Sequence, residues 1–241
     1  EGERRPVEEF QHELVRAGHE VFIEHDAGVG SSIPDADFVD AGARILPDAD
    51  SVWGEAELVC KVKEPVAEEF HRMRSDQVLF TYLHLAASQE CTKAIVESGI
   101  TAIAYETVQL SDGSLPLLAP MSEVAGRMAP QVGAHHLQRE SGGRGVLMGG
   151  VSGVYAAKVV VLGAGVSGMN AAAIALGMQA EVLLLDKNLD KLRQADRIYQ
   201  GHLQTIASNV YEVERACLDA DLVIGAVLVP GAKAPKLVSD D

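Results

Sequence analysis

The chain has 241 residues, 20 Lys and Arg against 35 Asp and Glu, a formal net charge of −15 and 47% apolar residues. That length suits one large or two modest domains with enough chain to bury real cores. The acidic balance, with no clustered Lys and Arg, argues against nucleic acid and against anionic membrane surfaces, because phosphate binding draws on grouped cations. Cys60, Cys91 and Cys217 are unevenly spaced, cannot all pair and form no C-x-x-C unit. The expectation is a reduced, cytoplasmic chain without a zinc-ribbon site. Residue 1 is Glu1, and no basic-then-apolar leader precedes the first element, so no signal peptide is expected.

Aliphatic, β-branched segments alternate with amphipathic ones, the pattern that winds into parallel α/β sheets. Residues 6–17 place Val7, Phe10, Leu14 and Val15 on one helical face, with Pro6 in the first turn and Gly18 at the stop. A strand is predicted over 20–24, a helix over 34–41 closed by Gly42, and a short strand over 43–46. Residues 51–57 are weakly helical, 58–63 form a strand that Pro65 interrupts, and 66–73 form a helix. A continuous apolar strand of the buried type covers 77–83. A helix over 86–98 ends at Gly99 and feeds a strand over 100–107.

The turn-rich Ser111-Asp-Gly-Ser-Leu-Pro marks a break. Beyond it, Val124, Met128, Val132 and Leu137 recur at near-helical spacing over 122–139, with Pro130 predicted to kink the helix or start a second one. This helix is read as the connection between domains. A glycine-rich passage from Gly142 to Gly153 follows it and reads as a hinge. A second α/β module begins at Lys158, with strands over 159–162, 181–185, 203–207 and 222–224.

The most informative run is Lys158-Val-Val-Val-Leu-Gly-Ala-Gly-Val-Ser-Gly, with Gly163, Gly165 and Gly168 in G-x-G-x-x-G spacing. A strand precedes it, an alanine-rich helix follows it, and Asp186 ends the next strand, the context that makes the spacing specific. Gly163 permits the turn, Gly165 admits a pyrophosphate to the backbone, and Gly168 lets the helix lie against the sheet. The helix N-terminus, opening at Val166 and Ser167, offers N–H groups to phosphate. Asp186 stands where a carboxylate accepts from ribose hydroxyls, and a 2′-phosphate there would meet a like charge, which favours NAD over NADP. The competing reading of 159–178 as a membrane span fails on Asn170, the grouped glycines and the charged Asp186-Lys187 boundary.

In the first half, Lys63, His84 and Glu106 fall at or near the ends of successive predicted strands, where open parallel sheets gather ligands. A lysine pairs with a carboxylate, and a histidine polarises a carbonyl near neutral pH. Taken singly, each is also the residue expected of a solvated strand end. His135-His136 has no partner at metal-ligand spacing, Cys60 and Cys91 read as buried core cysteines, and no G-x-S-x-G elbow is present.

Six further runs make the chain resemble the alanine dehydrogenases and the related NAD-binding subunit of proton-translocating transhydrogenase. They are Lys61-Val-Lys-Glu-Pro, Leu83-His-Leu-Ala-Ala, Ala104-Tyr-Glu-Thr-Val, Pro116-Leu-Leu-Ala-Pro-Met-Ser-Glu-Val-Ala-Gly-Arg, Gly142-Gly-Arg-Gly-Val-Leu-Met-Gly-Gly and Ile224-Gly-Ala-Val-Leu-Val-Pro-Gly-Ala. The lysine and histidine contexts resemble the dehydrogenase branch. The resemblance implies a two-domain α/β protein with parallel sheets: a Rossmann-like substrate domain over 1–121, a connecting helix and hinge over 122–150, and an NAD-binding Rossmann domain over 151–241. It implies that Lys63 binds the substrate carboxylate and that His84 meets the keto oxygen as acid and base. Ser122, Gly163, Gly165, Val166, Ser167, Gly168, Asp186, Val227 and Leu228 would contact NAD.

The family's N-terminal substrate arginine has its nearest counterpart in Arg5, or in Arg4, without a secure register. The family also continues beyond residue 241 with a catalytic aspartate and further strands. A fragment lacking both ends, inactive by itself, is therefore expected. The implied reaction is L-alanine + NAD + water to pyruvate, ammonium and NADH, in a cleft between the domains of a homohexamer and without a metal. The alternatives are the transhydrogenase subunit and a catalytically silent NAD-binding subunit.

Overall fold

The computed structural model describes residues 6–229, 232 and 234–238. Arg4 and Arg5 lie outside them. Two compact units divide the chain, Glu1–Tyr105 and Glu106–Asp241.

In the first unit, helix α1 (Pro6–Arg16) leads into strand β1 (Phe22–Glu24), helix α2 (Asp35–Asp40) and strand β2 (Arg44–Leu46). β1 and β2 pair in parallel, Phe22 opposite Arg44, over a small core of Ile33, Phe38 and Ala43. Gly42, with φ +94°, turns the chain after α2 and lies against Val15 of α1. Helix α3 (Ala49–Glu55) starts because Asp48 accepts from the Ser51 N–H at 2.8 Å. It precedes strand β3 (Leu58–Cys60). Strand β4 (Val78–Thr81), helix α4 (Gln89–Ser98) and strand β5 (Thr101–Ala104) complete a second parallel sheet of order β3-β4-β5. Its core gathers Trp53, Val59, Leu79, Cys91, Ile95 and Ile100.

Several boundaries differ from those predicted. The strand over 58–63 stops at Cys60, although the Lys61 N–H still reaches the Phe80 carbonyl at 3.2 Å. The helix over 66–73 is a 3₁₀ helix, Ala67–Arg72. Cys60 is exposed rather than a core residue, because the three-residue strand turns only its central Val59 inward; Cys91 is buried.

One surface pair of this unit shifts the titration of its histidine. His25 Nδ1 lies 2.5 Å from Asp35 Oδ2, and this hydrogen bond, followed by the nearby Asp26 and Asp35 charges, raises the imidazole above its ordinary 6.5. The pair steadies the β1–α2 connection below pH 6.5 and loses that contribution as pH climbs through the raised value. An NMR titration is expected to find His25 above 6.5 and Asp35→Asn to lower it; an unchanged midpoint in Asp35→Asn would contradict the pairing.

In the second unit, helix α5 (Ala119–Leu137) is followed by strand β6 (Lys158–Leu162), helix α6 (Val166–Gly177) and strand β7 (Glu181–Asp186). Helix α7 (Leu189–Tyr199), strand β8 (Gln204–Ala207), helix α8 (Val210–Asp219) and strand β9 (Leu222–Gly225) follow. The sheet is parallel with order β8-β7-β6-β9. Its order reverses beside β6, the switch point where ligands of open α/β sheets bind. Val159 to Leu162 are buried on both faces, as a central parallel strand requires.

α5 runs unbroken through Pro130, so no second helix begins there. Gly126, Pro130 and Gly133 form one buried stripe of α5. A side chain at Gly126 would overlap the Ser167 carbonyl of α6, and one at Gly133 would overlap Leu222. Close packing on this face offsets the hydrogen bond that proline withholds. The glycine-rich passage is tied to the same unit: Arg144 pairs with Asp221 at 2.7 Å, and the Ala157 N–H donates to the Met148 carbonyl at 2.9 Å. Among the described residues no helix is long and apolar enough to cross a membrane.

Candidate functional site

The glycine loop occupies the tip of β6. Gly163 has φ +110°, and its N–H donates to the Leu185 carbonyl at 2.7 Å. Gly168, in the first turn of α6, lies so close to the Gly163 carbonyl that any Cβ would overlap it. Between them a Cβ on Gly165 would meet nothing within 4 Å, which leaves the backbone there open to a ligand. Loop and helix start border a pocket of about 620 Å³. Gly163, Gly165, Val166 and Ser167 line it, as do Ser122 of α5, Asp186, Val227 and Leu228. Of the cofactor residues expected from sequence, Gly168 alone stands behind this surface, as the packing glycine.

Asp186 does more than end β7. Its Oδ2 accepts from the Ala164 N–H at 2.6 Å and its Oδ1 from the Asn188 N–H at 2.7 Å. The carboxylate thus braces the middle of the glycine loop, and each oxygen keeps acceptor capacity for a further donor. Lys187 and Lys191 also line the pocket; the sequence pattern does not single out either, although both lie within five residues of Asp186. A twelve-residue helix with its N-terminus open, a backbone bare of Cβ atoms, and a carboxylate at the next strand tip fit a dinucleotide.

The first unit carries the other group. Lys63 lies past β3 and His84 past β4, on neighbouring parallel strands. The Lys63 carbonyl accepts from Thr81 Oγ1 at 2.8 Å, while no ion pair holds its ammonium among the described residues. The adjacent Lys61, by contrast, pairs with Glu69. His84 has a left-handed backbone, φ +47° and ψ +37°. Its ring lies nearly parallel to that of Tyr82, centroids 5.9 Å apart, and its Nδ1 stands 3.0 Å from Glu64 Oε2.

That hydrogen bond is the main cause holding the Glu64 carboxyl below its usual range, with backbone hydrogen bonding and the His84 and Lys63 charges adding to it. Tyr105 packs edge-on to Phe80 and Tyr82, and burial pushes its phenol up to about 12. Glu106 follows in a 3₁₀ turn, Tyr105–Thr107. Elsewhere, His135 Nε2 meets Ser141 Oγ at 3.3 Å. The one group with metal-ligand geometry among the described residues is His25, Asp26 and Asp35, whose imidazole and carboxylates already bond one another.

Known proteins match both halves of the chain. The family model described as the N-terminal domain of alanine dehydrogenase/PNT matches residues 8–125, and its C-terminal counterpart matches 129–241. An alanine dehydrogenase of Mycobacterium tuberculosis (strain ATCC 25618 / H37Rv) is 64% identical over 228 residues, covering 95% of this chain and 62% of the relative. One from Methanococcus maripaludis is 53% identical, covering 95% and 61%. A solved L-alanine dehydrogenase is similar with a TM-score of 0.86 at 50% identity, covering 96% of this chain and 64% of that one. A transhydrogenase structure from Sinorhizobium meliloti gives 0.77 at 29% identity, covering 95% and 67%. The chain spans about 62% of the length of the curated relatives it matches. With a glycine loop braced by Asp186 in one unit, a lysine and a histidine past adjacent strands in the other, and both family domains matched in order, the chain belongs to the alanine dehydrogenase/PNT family.

Proposed function

We propose that this chain carries the substrate and cofactor machinery of an NAD-dependent L-alanine dehydrogenase, which converts L-alanine, NAD and water to pyruvate, ammonium, NADH and a proton. The observation that carries the proposal is Lys63 and His84 past adjacent strands in a chain 64% identical to an alanine dehydrogenase. Residues 1–121 would serve the substrate, 122–150 would connect, and 151–241 would bind NAD. Arg5 is a further candidate for the substrate carboxylate. A cytoplasmic homohexamer is proposed with it.

Bound along the glycine loop, a nicotinamide dinucleotide supplies the hydride acceptor, with orientation and electrostatics left to the protein. Lys63 holds the substrate carboxylate by a charge-assisted hydrogen bond. His84 exchanges protons with the hydroxyl and nitrogen of the carbinolamine that links imine to pyruvate, as a general acid and base. The N–H groups of Val166 and Ser167 meet the pyrophosphate, and Asp186 accepts from the ribose hydroxyls. A 2′-phosphate beside Asp186 would face a like charge, a juxtaposition that can cost several kcal/mol.

The test uses the protein at its natural length. L-Alanine and NAD are expected to give NADH, pyruvate and ammonium in equal amounts, with NADH binding far tighter than NADPH. No alanine-dependent NADH, or nucleotide binding without any turnover, would favour a transhydrogenase-like or silent subunit instead.

A further inference from the structure

We infer that Glu64 is a positioning residue for His84: its carboxylate holds the Nδ1–H tautomer and thereby places the exchanging proton on Nε2. The inference rests on the dehydrogenase reading of His84, and it begins from the 3.0 Å contact between Glu64 Oε2 and His84 Nδ1. An ionised carboxylate only accepts hydrogen bonds, so the ring nitrogen facing it must be the donor. The causes that keep the Glu64 carboxyl below its usual range keep it ionised at neutral pH. With Nδ1 committed as donor, Nε2 is the lone pair of the neutral ring and the acid of the cation.

Both partners are held from several sides. Pro65 is buried and restricts Glu64 to extended backbone. The loop around them is pinned on one side by Thr81 Oγ1 donating to the Lys63 carbonyl. On the other, Glu69 accepts from the Val66 N–H at 2.9 Å and pairs with Lys61. His84 stands at a backbone conformation that few non-glycine residues adopt, with its ring along Tyr82. Strain of this kind persists where the surroundings dictate it. The pair is only about one-third exposed, 35% for His84 and 33% for Glu64, so the contact between them is partly screened from solvent.

The same logic orients the histidine of hydrolase triads, where an amide in place of the carboxylate gives the wrong tautomer. Glu64 differs from a mere surface ion pair in one measurable respect: it decides which nitrogen carries the proton.

The experiment reads the tautomer and the rate separately, in the protein at its natural length. Side-chain ¹⁵N shifts of His84, assigned by loss of the signal in His84→Asn, are expected to show the Nδ1–H form in wild type. In Glu64→Gln they are expected to show a shift towards Nε2–H, because the carboxamide can donate to Nδ1. The kcat of Glu64→Gln should fall about 10²-fold or more, the usual contribution of acid–base catalysis, with KM for alanine within about threefold. Glu64→Asp, which keeps an acceptor, should retain the Nδ1–H form and exceed Glu64→Gln in rate. An unchanged tautomer in Glu64→Gln, or a rise in KM at constant kcat, would overturn the inference. A wild-type protein inert towards alanine that still loses the Nδ1–H form in Glu64→Gln would uphold the orienting contact while sinking the dehydrogenase reading.

Discussion

His84→Ala is expected to lower kcat by about 10²–10⁴-fold, the span general acid–base groups contribute, with nucleotide affinity unchanged. Lys63→Ala should lower kcat/KM for alanine by about 10–150-fold, since hydrogen bonds to charged groups are worth about 1.5–3 kcal/mol. The two residues lie in the first unit, past β3 and β4, whereas every residue lining the pocket proposed for the nucleotide belongs to the second. Binding and chemistry should therefore separate cleanly. Steady-state kinetics and a fluorescence titration with NADH check this in each variant. Wild-type kinetics in either one would return that residue to the role of a solvated strand end.

Gly168→Ala and Gly165→Ala should fail in different ways. A methyl on Gly168 would overlap the Gly163 carbonyl, a backbone atom that cannot swing aside as a side chain could. Overpacking of this kind costs about 1–3 kcal/mol, and α6 can relieve it only by lifting from β6. The variant should unfold at lower temperature and lose nucleotide affinity as the loop distorts. Gly165 has φ −81° and ψ −169°, open to any residue, and nothing of the protein lies near its absent Cβ. Alanine there should cost less than about 1 kcal/mol, a helix N-cap effect, and yet weaken NADH binding about 100-fold, because the methyl fills the phosphate's place. Thermal unfolding and NADH titration of the two variants separate these outcomes. Equal NADH affinity in Gly165→Ala and wild type would contradict the phosphate assignment.

The second unit was the more legible in sequence. β6, β7, β8 and β9 lie within a residue or so of prediction, because apolar β-branched runs bounded by Gly and Asp leave little choice of register. The glycine spacing named Gly163, Gly165 and Gly168, and the pocket brings the first two together with Ser122, Asp186, Val227 and Leu228. What the spacing could not carry was the brace from Asp186 to Ala164, a contact between two strand ends that only the folded register creates.

Of the two expectations for Pro130, the second helix does not form. Local propensity allows a new helix start at proline, and the packing of Gly126 and Gly133 on their neighbours, a tertiary effect, keeps one helix running through it. In the first unit the strands are too short for periodicity to fix their ends: β3 stops three residues before the predicted end, and Cys60 lies exposed rather than in the core. Lys63 and His84 were visible as strand-end residues. Glu64 was not, since its partner lies 20 positions away and nothing in a Lys-Glu-Pro run announces a histidine.

In the proposed reaction the α-hydrogen of alanine is transferred as hydride to a nicotinamide nucleotide held by the second unit. L-Alanine deuterated at Cα, given to the protein at its natural length with NAD, tests it directly. The label is expected at C4 of the reduced nicotinamide, in amounts equal to the pyruvate formed and with none exchanged into solvent. Pyruvate formed with the label released to water, or unlabelled NADH, would contradict the account.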